Sequence, residues 1–292
     1  MNSLYLLMLL VALASSGPAG DFNVPVNAKQ KRGELGFATR PYKEVGDRFR
    51  NYNRKVNKTH PFEMGIGYYY QYDIMLKPDF QQNAVSASTT NRWPNAVVSY
   101  QIIGTFNNSQ TGCWSYVGRS LDNTYNLVNL HSPDCTEPAT VAHEFTHAIG
   151  FYHEFMRPDR DTYITVNTSA LLPQYQTTSF YNANFAKYSA NQVELYGIPY
   201  YYGSVMHYSK YAGAANYKYP VMNNLKPWNG DFGNSTGLSA PDILAINYMY
   251  CNSTTTTTTK APTTTTKPTT TTTKVTAKTT LKFVSILSSK HQ

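Results

Sequence analysis

His143, Glu144, His147 and His153 stand in the string His143-Glu144-Phe145-Thr146-His147-Ala148-Ile149-Gly150-Phe151-Tyr152-His153, and their types and spacing suit a single metal ion. Residues four apart share one face of a helix, so His143 and His147 would present imidazole nitrogens to an ion about 2.0–2.1 Å away. Gly150 tolerates a positive φ, so the chain can turn there and bring in His153 as a third ligand. Three protein ligands leave zinc an open position, whereas structural sites are usually closed by four. Glu144 is then the candidate general base. Zinc lowers the pKa of a water toward about 7, and a carboxylate beside the open position can take that proton and pass it to a leaving amine. The string His-Glu-x-x-His also arises by chance on amphipathic helices with buried, hydrogen-bonded histidines; adding Gly150 and His153 cuts that reading roughly some hundreds-fold.

The pattern predicts a helix over Thr136–Ala148 to carry these residues. Thr136 can cap it, Glu137 complements its positive end, Pro138 fits the first turn and Gly150 stops it. A strand is expected over Ala96–Ile103, bounded by Trp93-Pro94-Asn95 and Gly104, and a packed C-terminal helix over Asp242–Tyr250, where Ile243, Leu244, Ile246 and Met249 recur at helical spacing. Residues 21–60 are polar and basic with little periodicity, which reads as a loosely ordered stretch without chemistry.

At its start the chain has an apolar run, Leu4–Ala14, followed by Ala14, Ser15, Ser16 and Gly17. This has the form of a secretory signal peptide over residues 1–17; eleven residues fall short of the roughly 20 that cross a bilayer. Sequons at Asn57, Asn107, Asn167, Asn234 and Asn252 fit a glycoprotein on the same route. A secreted, extracellular location with no membrane span is the expectation. The net charge of +8 divides into +4 for residues 17–83, −2 for 84–251 and +6 for 252–292, so the chemistry-bearing region has no basic patch and nucleic acid is not an expected partner. Ser253–Thr280 contains 18 threonines and almost no apolar residues, the composition of a disordered, mucin-like stalk.

Beyond the third histidine, Arg157-Pro158-Asp159-Arg160-Asp161 continues the motif, and Ser204-Val205-Met206-His207-Tyr208 has the form of a methionine turn. In these segments, and in Asn91-Arg92-Trp93-Pro94-Asn95, Gly112-Cys113-Trp114-Ser115-Tyr116-Val117-Gly118, Gly237-Leu238-Ser239 and Asp242-Ile243, the chain resembles the astacin branch of the metzincin zinc peptidases over roughly residues 70–251. The resemblance implies an α+β, two-lobed catalytic domain with a twisted sheet, an active-site helix and a Met-turn. It implies one Zn2+ per chain on His143, His147 and His153, with Tyr208 as a further ligand that swings away to donate to the oxyanion. Met206 would lie beneath the imidazoles, and Glu154 would be linked through water to a buried mature amino terminus.

Tyr70-Gln71-Tyr72-Asp73-Ile74-Met75-Leu76 resembles the family's latency switch, in which Asp73 would ligate the zinc; Tyr72 stands where the family usually has glycine. The implied organisation is a prosegment over 18–83 that inhibits its own enzyme, a metallopeptidase domain over 84–251 acting on proteins or peptides, and a tail over 252–292. Cys113 and Cys135 match the family's inner disulfide, worth about 3 kcal/mol in the chain-entropy picture. Cys251 matches the fourth cysteine, but the first is missing along with a long helix and two strands. In their place stand the eight residues Gly104–Thr111, so the upper sheet should be truncated. A second reading is a catalytically impaired, zinc-binding secreted matrix or surface protein whose stalk is the working part.

Overall fold

The structure is a computed structural model that describes residues 43–50, 52, 58–76, 92–100, 112–119, 126–131, 134–234, 236–251 and 282–285. The candidate signal peptide and most of the tail lie outside them.

Within the stretch expected to lack order, Lys43–Arg50 forms a helix, α1. Its only large apolar residues, Val45 and Phe49, are four apart and therefore share one face, and both are buried in the main core. Strand β1 spans Val97–Tyr100, shorter than expected because Pro94–Ala96 is taken up in a 3-10 turn and residues 101–111 fall outside the described ones. Trp114–Ser115 (β2) pairs antiparallel with Val128–Asn129 (β3). Helix α2 spans Pro138–Ala148; its N-cap is Glu137, with no side-chain cap bond, rather than Thr136. Ile164–Val166 (β4) pairs antiparallel with Met222–Asn224 (β5), separated by α3, Thr178–Asn184. Helix α4, Ala240–Tyr250, starts two residues before the expected Asp242 because Ser239 and Asp242 form a reciprocal capping box. In the tail, Lys282–Ser285 (β6) lies parallel to β1. The described residues thus hold three two-stranded sheets.

These pieces hold α2 from several sides. Cys113 and Cys135 are bonded, tying β2 to the turn before the helix, while Cys251 is free. At the helix C-terminus, Trp93 Nε1 donates to Ala148 O (2.9 Å), Tyr250 Oη to Ile149 O (2.6 Å) and Gly118 N to His147 O (2.9 Å), so carbonyls that helix ends leave unpaired are answered from three parts of the chain. The main core is strongly aromatic and includes Phe62, Tyr69, Tyr72, Phe155, Phe180, Phe185 and Tyr208.

The segment Pro61–Leu76 runs through this core. It begins as a 3-10 turn, Pro61–Gly65, and folds back so closely that a Cβ on Gly65 would lie 1.8 Å from Tyr72 O. It then joins the edge of β2, where Ser115 N donates to Asp73 O and Met75 N to Ser115 O, each at 3.0 Å. Among the described residues no helix is long and apolar enough to cross a membrane.

Candidate metal centre

Helix α2 supplies His143 and His147 one turn apart, and both side chains are wholly buried. The helix then stops at Gly150, whose φ of 111° is the positive value that glycine accepts without strain, and the chain turns back to bring His153, 2% exposed, beside them. Gly150 therefore does what its place in the string suggests.

Each imidazole is oriented through Nδ1. His143 Nδ1 lies 2.7 Å from Val205 O, His147 Nδ1 2.8 Å from Phe151 O and His153 Nδ1 2.9 Å from Gln71 Oε1. With oxygen acceptors at all three Nδ1 positions, the proton of each neutral ring belongs there, and the three Nε2 lone pairs turn inward. They converge: His147 Nε2 is 3.0 Å from His153 Nε2, and His143 Nε2 is 2.8 Å from Asp73 Oδ2. One ligand atom from each of Asp73, His143, His147 and His153 lies within 4.8 Å of all the others. Two lone pairs facing each other at 3.0 Å repel unless a cation lies between them, and Asp73 Oδ1 is buried without a hydrogen-bond partner. Both observations fit a bound divalent ion, and three imidazoles with one carboxylate is a donor set that zinc accepts.

Electrostatics agrees. Burial opposes ionisation of Asp73, but the three neighbouring imidazoles overcome it and hold the carboxyl well below the usual carboxylate range. Burial pushes His153 down to about 3 and lowers His143, in each case partly countered by Asp73, so both favour the neutral form that ligates metal. Glu144 is fully buried with neither carboxylate oxygen hydrogen-bonded; burial, and then the charge of Asp73, raise its pKa well above the usual value. A carboxyl held without partners beside the cluster is poised to exchange a proton.

The methionine turn sits under α2. Met206 is 3% exposed and packs with Ala142, Val205 and Leu238, and its carbonyl accepts the Glu154 amide at 2.9 Å. The Tyr208 ring lies 4.4 Å from that of His153, and its hydroxyl donates to the carbonyl of Gln71. Glu154 Oε1 accepts Arg157 Nη1 (3.0 Å) and the Tyr201 amide (2.9 Å); burial raises it to about 7 against the pull of Arg157. It borders a cavity also lined by Arg92, Gly150, Asp242 and Met249.

Several contributors escaped the sequence reading. Gln71 orients His153 from 82 residues away, and its Nε2 donates to Tyr188 Oη at 2.6 Å. The Phe62 ring stacks on His143 with centroids 3.8 Å apart. Glu63 is buried, receiving Ser209 N (2.7 Å) and Ser209 Oγ (2.9 Å). Asp242 accepts Ser204 Oγ (2.6 Å) and Val205 N (3.0 Å), and so holds the residue whose carbonyl orients His143. Only Asp242 had a legible signal, through its place in the capping box.

A helix carrying two imidazoles, a glycine turn to a third and a methionine turn beneath define a mononuclear zinc centre of the metzincin kind. The chain belongs to the astacin family: the family model for Astacin (Peptidase family M12A) matches residues 101–251. Among curated relatives, zinc metalloproteinase nas-28 of Caenorhabditis elegans is 33% identical over 215 residues, covering 70% of this chain and 41% of that protein. Protein SpAN of Strongylocentrotus purpuratus is 40% identical over 140 residues, covering 48% of this chain and 21% of that one. Among solved structures, the hatching enzyme zinc-protease HCE-1 of Oryzias latipes, the medaka fish, is 30% identical, with a TM-score of 0.42 and coverage of 53% of this chain and 66% of that one. The chain thus spans less than half the length of these curated relatives.

Proposed function

We propose that this chain is a secreted zinc metalloendopeptidase, made as a latent proenzyme, that hydrolyses extracellular proteins or peptides. The observation that carries this reading is the convergence of three inward-facing imidazole nitrogens on one buried point beside the unpartnered carboxyl of Glu144. His143, His147 and His153 would hold the ion. A zinc ion held there would supply Lewis acidity toward a peptide carbonyl and lower the pKa of a water toward about 7.

In this reading Glu144 takes the proton of the attacking water and returns it to the departing amine. The Tyr208 phenol, whose pKa is raised by burial and then by Asp73, stays a neutral donor for the developing oxyanion. In the latent form Asp73 would join the imidazoles in holding the ion in place of a water, and Phe62, Glu63 and Gln71 fasten the same segment to His143, Ser209 and His153. Residues 18–83 are then the inhibitory prosegment, removed by a cut between about Leu76 and Asn91. Residues 84–251 form the catalytic domain, with Glu154 and its cavity ready for the new amino terminus, and 252–292 form a glycosylated tail. The retention of Glu144 favours an enzyme over a zinc-binding matrix protein, because binding alone has no use for it.

The test is cleavage of a casein-type substrate by the activated protein, before and after a zinc chelator. Activity lost with the chelator and restored by zinc is expected; equal cleavage in both samples refutes the metal mechanism.

A further inference from the structure

Tyr72 is the departure from the family's glycine, and its side chain occupies a definite place. Gln71 and Tyr72 have φ values of 47° and 75°, a left-handed conformation that L side chains keep only where the surroundings enforce it. The result is that the Tyr72 ring, 1% exposed, enters an aromatic recess beside the metal centre. Its centroid lies 5.2 Å from Tyr208 in a stacked arrangement, 6.1 Å from Phe185 edge-on and 6.2 Å from Phe180. Gly213 lets the opposite wall approach, since a Cβ there would fall 2.9 Å from the Tyr72 hydroxyl and 3.0 Å from Leu171 Cδ2.

The hydroxyl itself is buried and has no hydrogen-bond partner among the described residues, although a buried tyrosine usually finds one. The groups that act on it electrostatically are Glu63, which belongs to the same segment, and Tyr175. The recess therefore accommodates the ring and offers the oxygen nothing. Tyr72 also directly precedes Asp73, whose carboxylate lies 2.8 Å from His143 Nε2, so the recess adjoins the point where a peptide bond would be cut.

We infer that this recess is a substrate subsite that selects an aromatic side chain next to the cleaved bond, phenylalanine ahead of tyrosine, and that Tyr72 fills it in place of a substrate. The inference rests on the endopeptidase reading above and narrows its substrate class. Phe180, Phe185 and Tyr208 provide aromatic faces, and Gly213 provides depth. An acidic side chain would meet none of the charge or hydrogen bonding it requires from these walls.

The experiment has two arms, both on the full chain cleaved between residues 77 and 91 and loaded with zinc. In the first, peptides identical except for Phe, Tyr, Leu, Ala or Asp on either side of the scissile bond are compared by kcat/KM. The expected order at one position is Phe, then Tyr by a several-fold deficit, then Ala by at least tenfold; no preference, or a preference for Asp, overturns the inference. In the second, synthetic peptides spanning residues 60–76 are titrated calorimetrically. Tyr72→Phe should bind several-fold tighter than the parent sequence, and Tyr72→Ala at least tenfold more weakly. Equal affinities overturn the subsite. Should the activated protein cut no peptide while the calorimetric order holds, the endopeptidase reading fails and the aromatic selectivity stands.

Discussion

Glu144 has two unpartnered buried oxygens and Tyr208 a hydroxyl that meets a main-chain carbonyl, so each can be removed without taking a hydrogen bond from the three imidazoles. Glu144→Ala is expected to bind one zinc per chain, measured by metal analysis, while turnover falls by about 10²–10⁴. Tyr208→Phe should lower kcat by about 10²–10³ with zinc content unchanged, as loss of one oxyanion donor does. Retained turnover in either variant removes that residue from its role. At this scale the sequence was most readable, because His143 and His147 repeat with the helix and Gly150 marks a turn, and both rules are local. Gln71 and Phe62 left no such trace: their partners His153 and His143 lie 82 and 81 positions away, and no local period encodes a contact of that kind.

Among the elements, α4 and the methionine turn are joined by one carboxylate. Asp242 serves both the capping box through Ser239 and the amide of Val205, the residue whose carbonyl stands behind His143. Asp242→Asn should weaken zinc binding about 10- to 100-fold in a chelator competition, the usual effect of losing an outer partner of a ligand. Ser239→Ala removes only the cap and should cost about 1 kcal/mol of stability with zinc affinity unchanged. If the two variants bind zinc alike, Asp242 is a cap and nothing more. Elements are legible in the sequence where a period and a start or stop signal coincide, as at α2 and α4. Helix α1 has no such signal, since Val45 and Phe49 are its only large apolar residues and Lys, Glu, Asp, Arg and one Gly make up the rest of it. At the start of β1 the apolar Ala96 suggests strand but is held in a turn at φ 54°.

For the molecule as a whole, the buried Glu63 carboxyl ties the stability of the uncleaved chain to pH. Burial raises its pKa from 4.5 to about 8, against the opposing effect of the Ser209 donors. A folded-state pKa above the unfolded one means that the contribution is complete below about 4.5 and is lost as pH rises through about 8. The uncleaved chain should therefore lose stability across that window, by at most about 1.4 kcal/mol per pH unit from this group. Glu63→Gln should flatten the pH dependence between about 4.5 and 8 in denaturant titrations; an unchanged slope there would mean that Glu63 is already ionised when folded.

Trp93 and Tyr250 both reach the last carbonyls of the helix that carries the first two histidines, one from near the start of the proposed domain and the other from its far end. A proteolytic cut before Asn91 spares the first of these ties and never approaches the second. In the activation proposed above, withdrawal of residues 61–76 is then the pulling of a stopper from a fitting whose rim stays clamped at two places, so that opening the site leaves the grip on the metal intact.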